Sequence, residues 1–193
     1  MCNSYKEIKM NKLKLILSKI YRFFFPLDLV EVYKRMGVNI GENCKFQFDV
    51  IIDFSHFWLI EIGNDVTLAP RVHILAHDAS TYNYVGYTKI GKVKIGNNVF
   101  VGANSTILPG VIIGNNTIIG AGSIVTKDIP ENSIAVGNPA KVVGDISTFL
   151  SKTKEDMSKY PLFEEKYTLR GEINKKMKEE MKTLMKEKYG FVR

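Results

Sequence analysis

The chain has 193 residues, of which 45% are hydrophobic, and it carries a formal net charge of +7. This length and composition predict one soluble domain with enough apolar mass for a core. The basic excess lies outside residues 37–147, which hold seven Lys/Arg against nine Asp/Glu; this distribution argues against nucleic-acid binding, because a nucleic-acid groove needs basic residues on the folded surface.

The N-terminal segment, residues 1–36, is both basic and apolar. Within it, residues 12–27 place apolar side chains at near-helical spacing among lysines and an arginine. This stretch is too short and too charged to span a bilayer. We expect an amphipathic helix that caps the open end of the fold behind it. The alternative is an interfacial helix in peripheral contact with an anionic membrane.

The cysteines indicate a reducing compartment. Cys2 and Cys44 form no disulfide framework, and no signal-peptide cleavage pattern follows the N-terminal basic residues. We therefore expect a cytoplasmic protein, placed at the inner face of the membrane if residues 12–27 bind lipid.

A strict six-residue repeat runs from Ile95 to Pro130. Its six hexads each open on a β-branched aliphatic residue: Ile95, Val101, Ile107, Ile113, Ile119 and Val125. Asparagine pairs recur eighteen residues apart, at 97–98 and 115–116, so three hexads make one coil of a solenoid. Stacked branched side chains build an apolar column, and Gly and Asn accept the positive φ of tight corners. A β-sandwich, the alternative, predicts turns at irregular spacing.

Weaker repeats precede this run. Three hexads cover residues 62–79, and another begins at Ile40. Residues 46–61 stay apolar but lack corner glycines, and the repeat is lost again from Ser80 to Lys94. The sequence therefore predicts four or five coils with one loop pushed out of them.

These patterns divide the chain into an N-terminal segment, a β-helix and a tail. The β-helix covers residues 37–147, with the extruded loop at about 78–94. Residues 148–193 form a charged helical tail. Its apolar stripe comprises Ile173, Met177, Met181, Leu184 and Met185.

Histidine is the side chain best suited to accept a proton near neutral pH, and the chain has three. His56 lies in the irregular coil, His73 ends a regular hexad, and His77 lies where the repeat gives way to the loop. A loop leaving a rigid prism can meet a substrate without disturbing the apolar column. His77 is therefore the candidate general base, and from the residues alone a structural role explains it equally well. His73 is expected to pack in the coil or to support the loop.

Acceptor contacts are expected from two places. The irregular coil offers Asp53 and His56, the second of which either lines the acceptor pocket or is simply exposed. The loop offers Tyr82 and Tyr84, whose amphipathic rings can meet a sugar or another acceptor. No metal site is predicted, because the chain has no CxxC or HExxH pattern.

Four stretches, residues 62–70, 95–102, 119–130 and 137–142, resemble the hexapeptide-repeat acyltransferases. Among these they are similar to the galactoside, maltose and polysaccharide O-acetyltransferases, with the streptogramin acetyltransferases nearby. The resemblance implies an all-β solenoid that is a left-handed parallel β-helix, here with N-terminal and C-terminal helical flanks. The hand comes from the resemblance alone, because the general crossover preference is right-handed.

The resemblance also implies a site with acetyl-CoA as co-substrate and His77 as general base. The coenzyme contacts it implies are Gly102, Ala103, Ala121, Thr126, Lys127 and Lys141. Small residues leave room for the pantetheine arm, lysines attract phosphate, and a backbone N–H near Gly102 or Ala103 would stabilise the oxyanion. Relatives often carry arginine where this chain has Lys141, so one bidentate phosphate contact is lost. Without the resemblance, these alanines are corner residues and these lysines a solvated face.

The implied activity is O-acetyl transfer from acetyl-CoA to a hydroxyl of a sugar or a surface polysaccharide precursor. A prism has no concave pocket of its own, so the resemblance implies a homotrimer with coenzyme between neighbouring subunits. One alternative is an antibiotic (streptogramin-type) or amino-sugar acetyltransferase. The other is a non-catalytic trimeric β-helix scaffold, which needs neither His77 nor the lysines.

Overall fold

The computed structural model describes residues 28–185 and 189–193. The amphipathic stretch predicted at residues 12–27 lies outside the described residues. The chain divides into two compact units at the junction of Val143 and Gly144. Within the described ranges, no helix combines the length and hydropathy that crossing a membrane requires.

The first described element is helix α1 (Leu29–Met36). It begins after Asp28, whose side chain caps the first turn, and it ends at Gly37 with a φ of 102°. The hydroxyl of Tyr33 donates to the carbonyl of Val50 over 3.0 Å, which ties the helix to the first coil.

The strands of the first unit follow one another as the successive sides of a coil. Coil one comprises β1 (Asn39–Ile40), β2 (Lys45–Phe46) and β3 (Ile51–Ile52). Coil two comprises β4 (Ile60–Ile62), β5 (Thr67–Leu68) and β6 (His73–Ile74), and is followed by the loop strands β7 (His77–Asp78) and β8 (Lys89–Ile90). Coil three comprises β9 (Val93–Ile95), β10 (Phe100–Val101) and β11 (Thr106–Ile107). Coil four comprises β12 (Ile112–Ile113), β13 (Ile118–Ile119) and β14 (Ile124–Val125), and a partial fifth comprises β15 (Ser133–Gly137) and β16 (Ala140–Asp145).

Stacked strands form three faces of a prism. Face A has the order β1-β4-β9-β12, face B has β2-β5-β10-β13-β15-β16, and face C has β3-β6-β11-β14. We name the corners A–B, B–C and C–A after the faces they join. Ile113 lies in parallel register with Ile95, and Ile119 with Val101, eighteen residues apart in each pair. The prediction that three hexads make one coil is confirmed, and the first unit is a parallel β-helix.

The residues that open the six hexads form the interior of the prism. Each of them is at most 1% exposed. Side chains along a strand point alternately to the two sides of the sheet. The side chain that points inward on each strand therefore stacks on the equivalent side chain one coil away. Fully burying one such side chain contributes roughly 1.5–3 kcal/mol.

The glycines that follow these aliphatic residues have a different role from the predicted one. Positive φ occurs at the corner Asn98, at 53°, as predicted, but not at Gly96 or Gly102. A Cβ on Gly96 would lie 2.6 Å from Oδ1 of Asn115, and one on Gly102 would lie 2.4 Å from the backbone nitrogen of Ala121. These positions are glycine because the next coil approaches too closely for any side chain.

The extruded loop leaves the C–A corner of coil two as a narrow ribbon. Strands β7 and β8 pair antiparallel, and the helical turn α2 (Tyr82–Val85) lies between them. The coil resumes at Val93, slightly before the loop end that the repeat pattern suggests. A second departure, the 3₁₀ turn Phe57–Leu59, interrupts the chain between coils one and two.

The second unit contains α3 (Ile146–Met157), β17 (Leu162–Phe163), a 3₁₀ turn (Glu165–Tyr167), α4 (Lys175–Leu184) and β18 (Phe191–Val192). Strands β17 and β18 pair in parallel, and the rings of Tyr160 and Tyr189 pack at a centroid distance of 4.5 Å. Of the predicted apolar stripe, Met177 and Met181 are half-buried and Leu184 is exposed.

Replacing Ile113 by Asp is expected to unfold or aggregate the protein. An unpaired carboxylate in the stacked column costs several kcal/mol, because no hydrogen-bond partner is available there. The matched control is Ile112→Asp on the same strand, where the side chain is 49% exposed. Thermal melting and soluble yield check the pair, and equal melting temperatures for the two variants would show that the inward face is misassigned.

Candidate active site

Asp53 follows directly after β3 and is only 3% exposed. Its two carboxylate oxygens accept four hydrogen bonds. The N–H groups of Ser55 and His56 donate to Oδ1 over 2.8 and 3.1 Å. The N–H of Ala76 donates to Oδ2 over 2.9 Å, and Nδ1 of His77 lies 2.5 Å from the same oxygen. The carboxylate therefore joins the irregular stretch after coil one to the loop base after coil two.

These contacts determine the charge of Asp53. Burial raises the pKa of this carboxyl, but the hydrogen bonds from His77 and from three backbone N–H groups outweigh burial and hold the pKa below its usual range. Asp53 is therefore ionised at neutral pH, and an ionised carboxylate can only accept hydrogen bonds.

His77 begins β7 at the C–A corner. Since the carboxylate of Asp53 only accepts, the neutral form of the His77 ring carries its proton on Nδ1 and its lone pair on Nε2. The side chain of His77 is 32% exposed, whereas that of Asp53 is fully buried. A histidine held in one tautomer by a buried carboxylate, with its ring at the surface, has the geometry of an oriented general base.

A run of aromatic rings extends from His77 across the surface. The ring of His56 lies 5.5 Å from that of His77 and 5.3 Å from that of Trp58, measured between centroids. Trp58 itself is 60% exposed. Nδ1 of His56 is buried without a hydrogen-bond partner among the described residues.

Three side chains of this cluster lie close enough together to be considered as metal ligands. Asp53, His56 and His77 each place one potential ligand atom within 4.8 Å of the other two. The carboxylate of Asp53 already accepts four hydrogen bonds, which is its full acceptor capacity. This arrangement favours a hydrogen-bonded base over a metal centre.

The residues predicted to contact the acceptor separate into two groups. Asp53 has a fully buried side chain whose two oxygens both accept hydrogen bonds, so it offers no exposed group to an acceptor, unlike the predicted acceptor contact. His56 is half-buried beside His77. Tyr82 and Tyr84 lie on the loop turn α2 and are 57% and 87% exposed.

The small residues predicted along the coenzyme lie at the B–C corner, Gly102 and Ala103 after β10 and Ala121 one coil later. The N–H of Gly102 donates to the carbonyl of Ile119 over 2.8 Å, so this N–H is not free to bind an oxyanion. The N–H of Ala103, by contrast, meets no acceptor within the described part of the chain.

The polar residues predicted beside the coenzyme lie elsewhere. Thr126 and Lys127 follow β14 at the C–A corner, the corner of His77 but two coils further along. Lys141 lies on β16, at the end of face B. All three are exposed. One chain therefore does not bring the predicted coenzyme residues together, because face C separates the B–C corner from the C–A corner.

Sequence reasoning missed two features of this site. Asp53 and His77 are 24 residues apart in the sequence, so no local sequence pattern predicts the hydrogen bond between them. The position of Trp58 was also missed, although a lone tryptophan two residues after a candidate histidine was a visible signal.

Comparison with known proteins gives a consistent result. Residues 92–127 match the family described as bacterial transferase hexapeptide (six repeats). Protein CapG of Staphylococcus aureus is 45% identical over 131 residues, which cover 64% of this chain and 74% of CapG. The galactoside O-acetyltransferase of Escherichia coli K12 is 37% identical over 130 residues, 60% of this chain and 59% of that enzyme.

Among solved structures, a maltose O-acetyltransferase from Clostridium difficile 630 is 46% identical with a TM-score of 0.50. The alignment covers 55% of this chain and 58% of that enzyme. A putative acetyltransferase of Staphylococcus aureus (strain Mu50) is 35% identical over 164 residues, 80% of this chain and 80% of that protein. On the matching repeats, these similarities and the coil geometry, this chain belongs to the hexapeptide-repeat family of bacterial acetyltransferases.

Proposed function

We propose that this protein transfers an acetyl group from acetyl-CoA to a hydroxyl of a sugar or of a surface polysaccharide precursor. The hydrogen bond between Nδ1 of His77 and the buried carboxylate of Asp53 carries the proposal, because it orients a base whose Nε2 is left to accept a proton. Family membership supports acetyl-CoA as co-substrate and the left-handed coil. The galactoside and maltose enzymes among the relatives support a saccharide acceptor.

The proposed mechanism is direct transfer in a ternary complex. Nε2 of His77 removes the proton of the acceptor hydroxyl while the oxygen attacks the thioester carbonyl carbon. The new C–O bond forms as the carbonyl electron pair moves onto oxygen, where the N–H of Ala103 is the candidate oxyanion donor. The C–S bond then breaks, and the departing thiolate takes the proton from Nε2. Asp53 stays ionised throughout and stabilises the transient imidazolium.

We further propose that the active enzyme is a homotrimer. The base and the small-residue groove lie on the two corners that border face C. A cyclic trimer packed through face C places the C–A corner of one subunit against the B–C corner of the next. Ile51 on this face is 42% exposed, an apolar side chain that subunit packing would cover. The site is then complete only between two copies.

The Asp53–His77 pair also separates this proposal from a scaffold. Keeping an ionised carboxylate buried is costly unless its charge is compensated, and here part of the compensation comes from a half-exposed histidine. A purely structural β-helix does not need a histidine whose Nε2 is left free at the surface, whereas a general base does. Coenzyme release measured with sugars, nucleotide sugars and streptogramins in parallel tests the acceptor class; release with a streptogramin alone would replace the saccharide proposal by the antibiotic alternative.

Replacing His77 by Ala is expected to lower the transfer rate by a factor on the order of 10²–10⁴, the usual size of a general-base loss. The fold should persist, because His77 lies outside the apolar column. Steady-state coenzyme release and a melting curve measure the two effects. His56→Ala and His73→Ala serve as comparisons, and full activity in His77→Ala would transfer the base role to one of them.

Asp53→Asn is expected to lower kcat by about 10²-fold, with the KM for acetyl-CoA unchanged. The amide would donate to Nδ1 of His77, so the ring would take the other tautomer and lose its free Nε2. Asp65→Asn is the matched control, because Asp65 lies at a corner with a φ of 56° that asparagine readily adopts. Equal losses of kcat in Asp53→Asn and Asp65→Asn would contradict the proposal that Asp53 positions His77.

The same variant has a signature in stability against pH. The pKa of Asp53 is below its ordinary value of 3.8 in the folded chain, so ionisation stabilises the fold above that value and the contribution fades as the pH falls through the lowered pKa. The difference in melting temperature between the wild type and Asp53→Asn should therefore be largest near neutral pH and shrink below pH 3.8. A difference that grows on acidification would contradict the assigned charge.

Lys127→Ala and Lys141→Ala are expected to raise the KM for acetyl-CoA more than they lower kcat. Contacts to the remote phosphates bind the ground and transition states about equally, so their loss weakens binding uniformly. Lys45→Ala is the control for the loss of one surface charge, because Lys45 lies on face B in coil one. Measuring the KM with a coenzyme fragment that lacks the nucleotide phosphates should abolish the difference, and unchanged coenzyme binding in both variants would leave these lysines as a solvated face.

A further inference from the structure

Trp58 is the only tryptophan of the chain, and it lies at the surface. It belongs to the 3₁₀ turn Phe57–Leu59, and its side chain is supported from two sides. The ring of Phe57 meets it edge-on at a centroid distance of 5.2 Å, and the ring of His56 lies 5.3 Å away. Despite these neighbours Trp58 is 60% exposed, so part of its indole ring is in contact with solvent and is accessible to a ligand.

A shallow groove of about 470 Å³ begins at Trp58 and runs onto face A. The groove passes between Glu61, Lys92 and Lys94 and ends at Ile112, which is 49% exposed. This volume falls within the range of sites that hold small ligands, and the mixture of one aromatic ring with a few charged groups is typical of such sites.

The charges of this groove are unequal. Nζ of Lys94 lies 4.0 Å from Oε2 of Glu61, so these two charges offset each other. Lys92 has no carboxylate within salt-bridge distance in the ranges 28–185 and 189–193. Trp58 and Lys92 line the same groove, which therefore combines an aromatic face with one ammonium group that no carboxylate of the described residues offsets.

We propose that Trp58 and Lys92 form a subsite for a sugar ring that bears an anionic group. The ring packs its C–H face on the indole, and the ammonium of Lys92 meets the carboxylate or phosphate. This inference rests on the proposed function and deepens it. The hydroxyl to be acetylated must reach Nε2 of His77, and the ring of His56 lies within 5.5 Å of both the His77 ring and the Trp58 ring. In this proposal the acceptor is an oligosaccharide that places its hydroxyl at His77 and a second sugar ring on Trp58.

Binding is tested directly by tryptophan fluorescence of the full-length protein, because all of its tryptophan emission comes from Trp58. The probes are cellobiouronic acid, cellobiose 1-phosphate and neutral cellobiose, each titrated without acetyl-CoA. We expect saturable changes with both anionic disaccharides, at a Kd about tenfold below that of cellobiose, the size expected for one charge-assisted contact. The stronger of the two anionic probes identifies carboxylate or phosphate as the ligand group.

Variants assign the effect to the two residues. Lys92→Ala should bring the Kd of the anionic probes to that of cellobiose, whereas Lys45→Ala on face B should keep the difference. In coenzyme-release assays, Trp58→Ala should raise the KM for the acceptor about three- to tenfold without changing the KM for acetyl-CoA. Trp58→Phe, which keeps an aromatic face, should recover most of that loss.

The outcomes separate this inference from the proposed function. If coenzyme is released but no disaccharide changes the emission of Trp58, the sugar subsite is overturned and the acetyl-transfer proposal is kept. Emission that responds to the anionic disaccharides without any coenzyme release would support the sugar subsite and overturn the transferase proposal. Equal Kd values for cellobiose and both anionic probes would overturn the role of Lys92.

Discussion

The close stacking of successive coils is the constraint on which the rest of this structure depends. Strands of one face align residue by residue, so the aliphatic side chains form one continuous column. At the A–B corner the coils come so close that Gly96 has no room for a Cβ. There the N–H of Asn97 donates to Oδ1 of Asn115 over 2.7 Å, so a hydrogen bond to an asparagine side chain links the two coils at this corner. A coil is therefore held by its neighbours, and its own residues alone do not bury it.

This stacking is also what makes the catalytic arrangement possible. Asp53 directly follows β3 of coil one, and His77 comes three residues after the equivalent strand β6 of coil two, so the pairing of β3 with β6 brings the two side chains close together. Burial of the carboxylate alone would raise its pKa, and the surrounding N–H donors reverse that effect. The irregular stretch after coil one supplies two of those donors. The departure from the repeat at this point is thus part of the site.

In the proposed function, the catalytic groups are divided between two corners of the prism. The interior of the described coils is filled by the apolar column, so the polar groups lie at the edges. His77, the proposed base, lies at the C–A corner and the proposed small-residue groove lies at the B–C corner, so the proposed trimer around face C would complete the site. The aromatic run from His77 to Trp58 leads away from that edge onto face A. Coenzyme and acceptor would accordingly approach the base from different sides.

The sequence by itself determined the coil, because a period of six with a branched aliphatic at each opening position leaves few other ways to bury those residues. It also led to the prediction that His77 is the general base, since the repeat stops there, and the resemblance in four stretches indicated acetyl transfer. It could not explain the hexad glycines, which depend on the distance to the next coil. It could not separate Asp53 from an acceptor contact either, because burial and four hydrogen-bond donors from distant or irregular segments decide that role. Only the tertiary structure decided these, because each depends on contacts between coils that the local pattern does not contain.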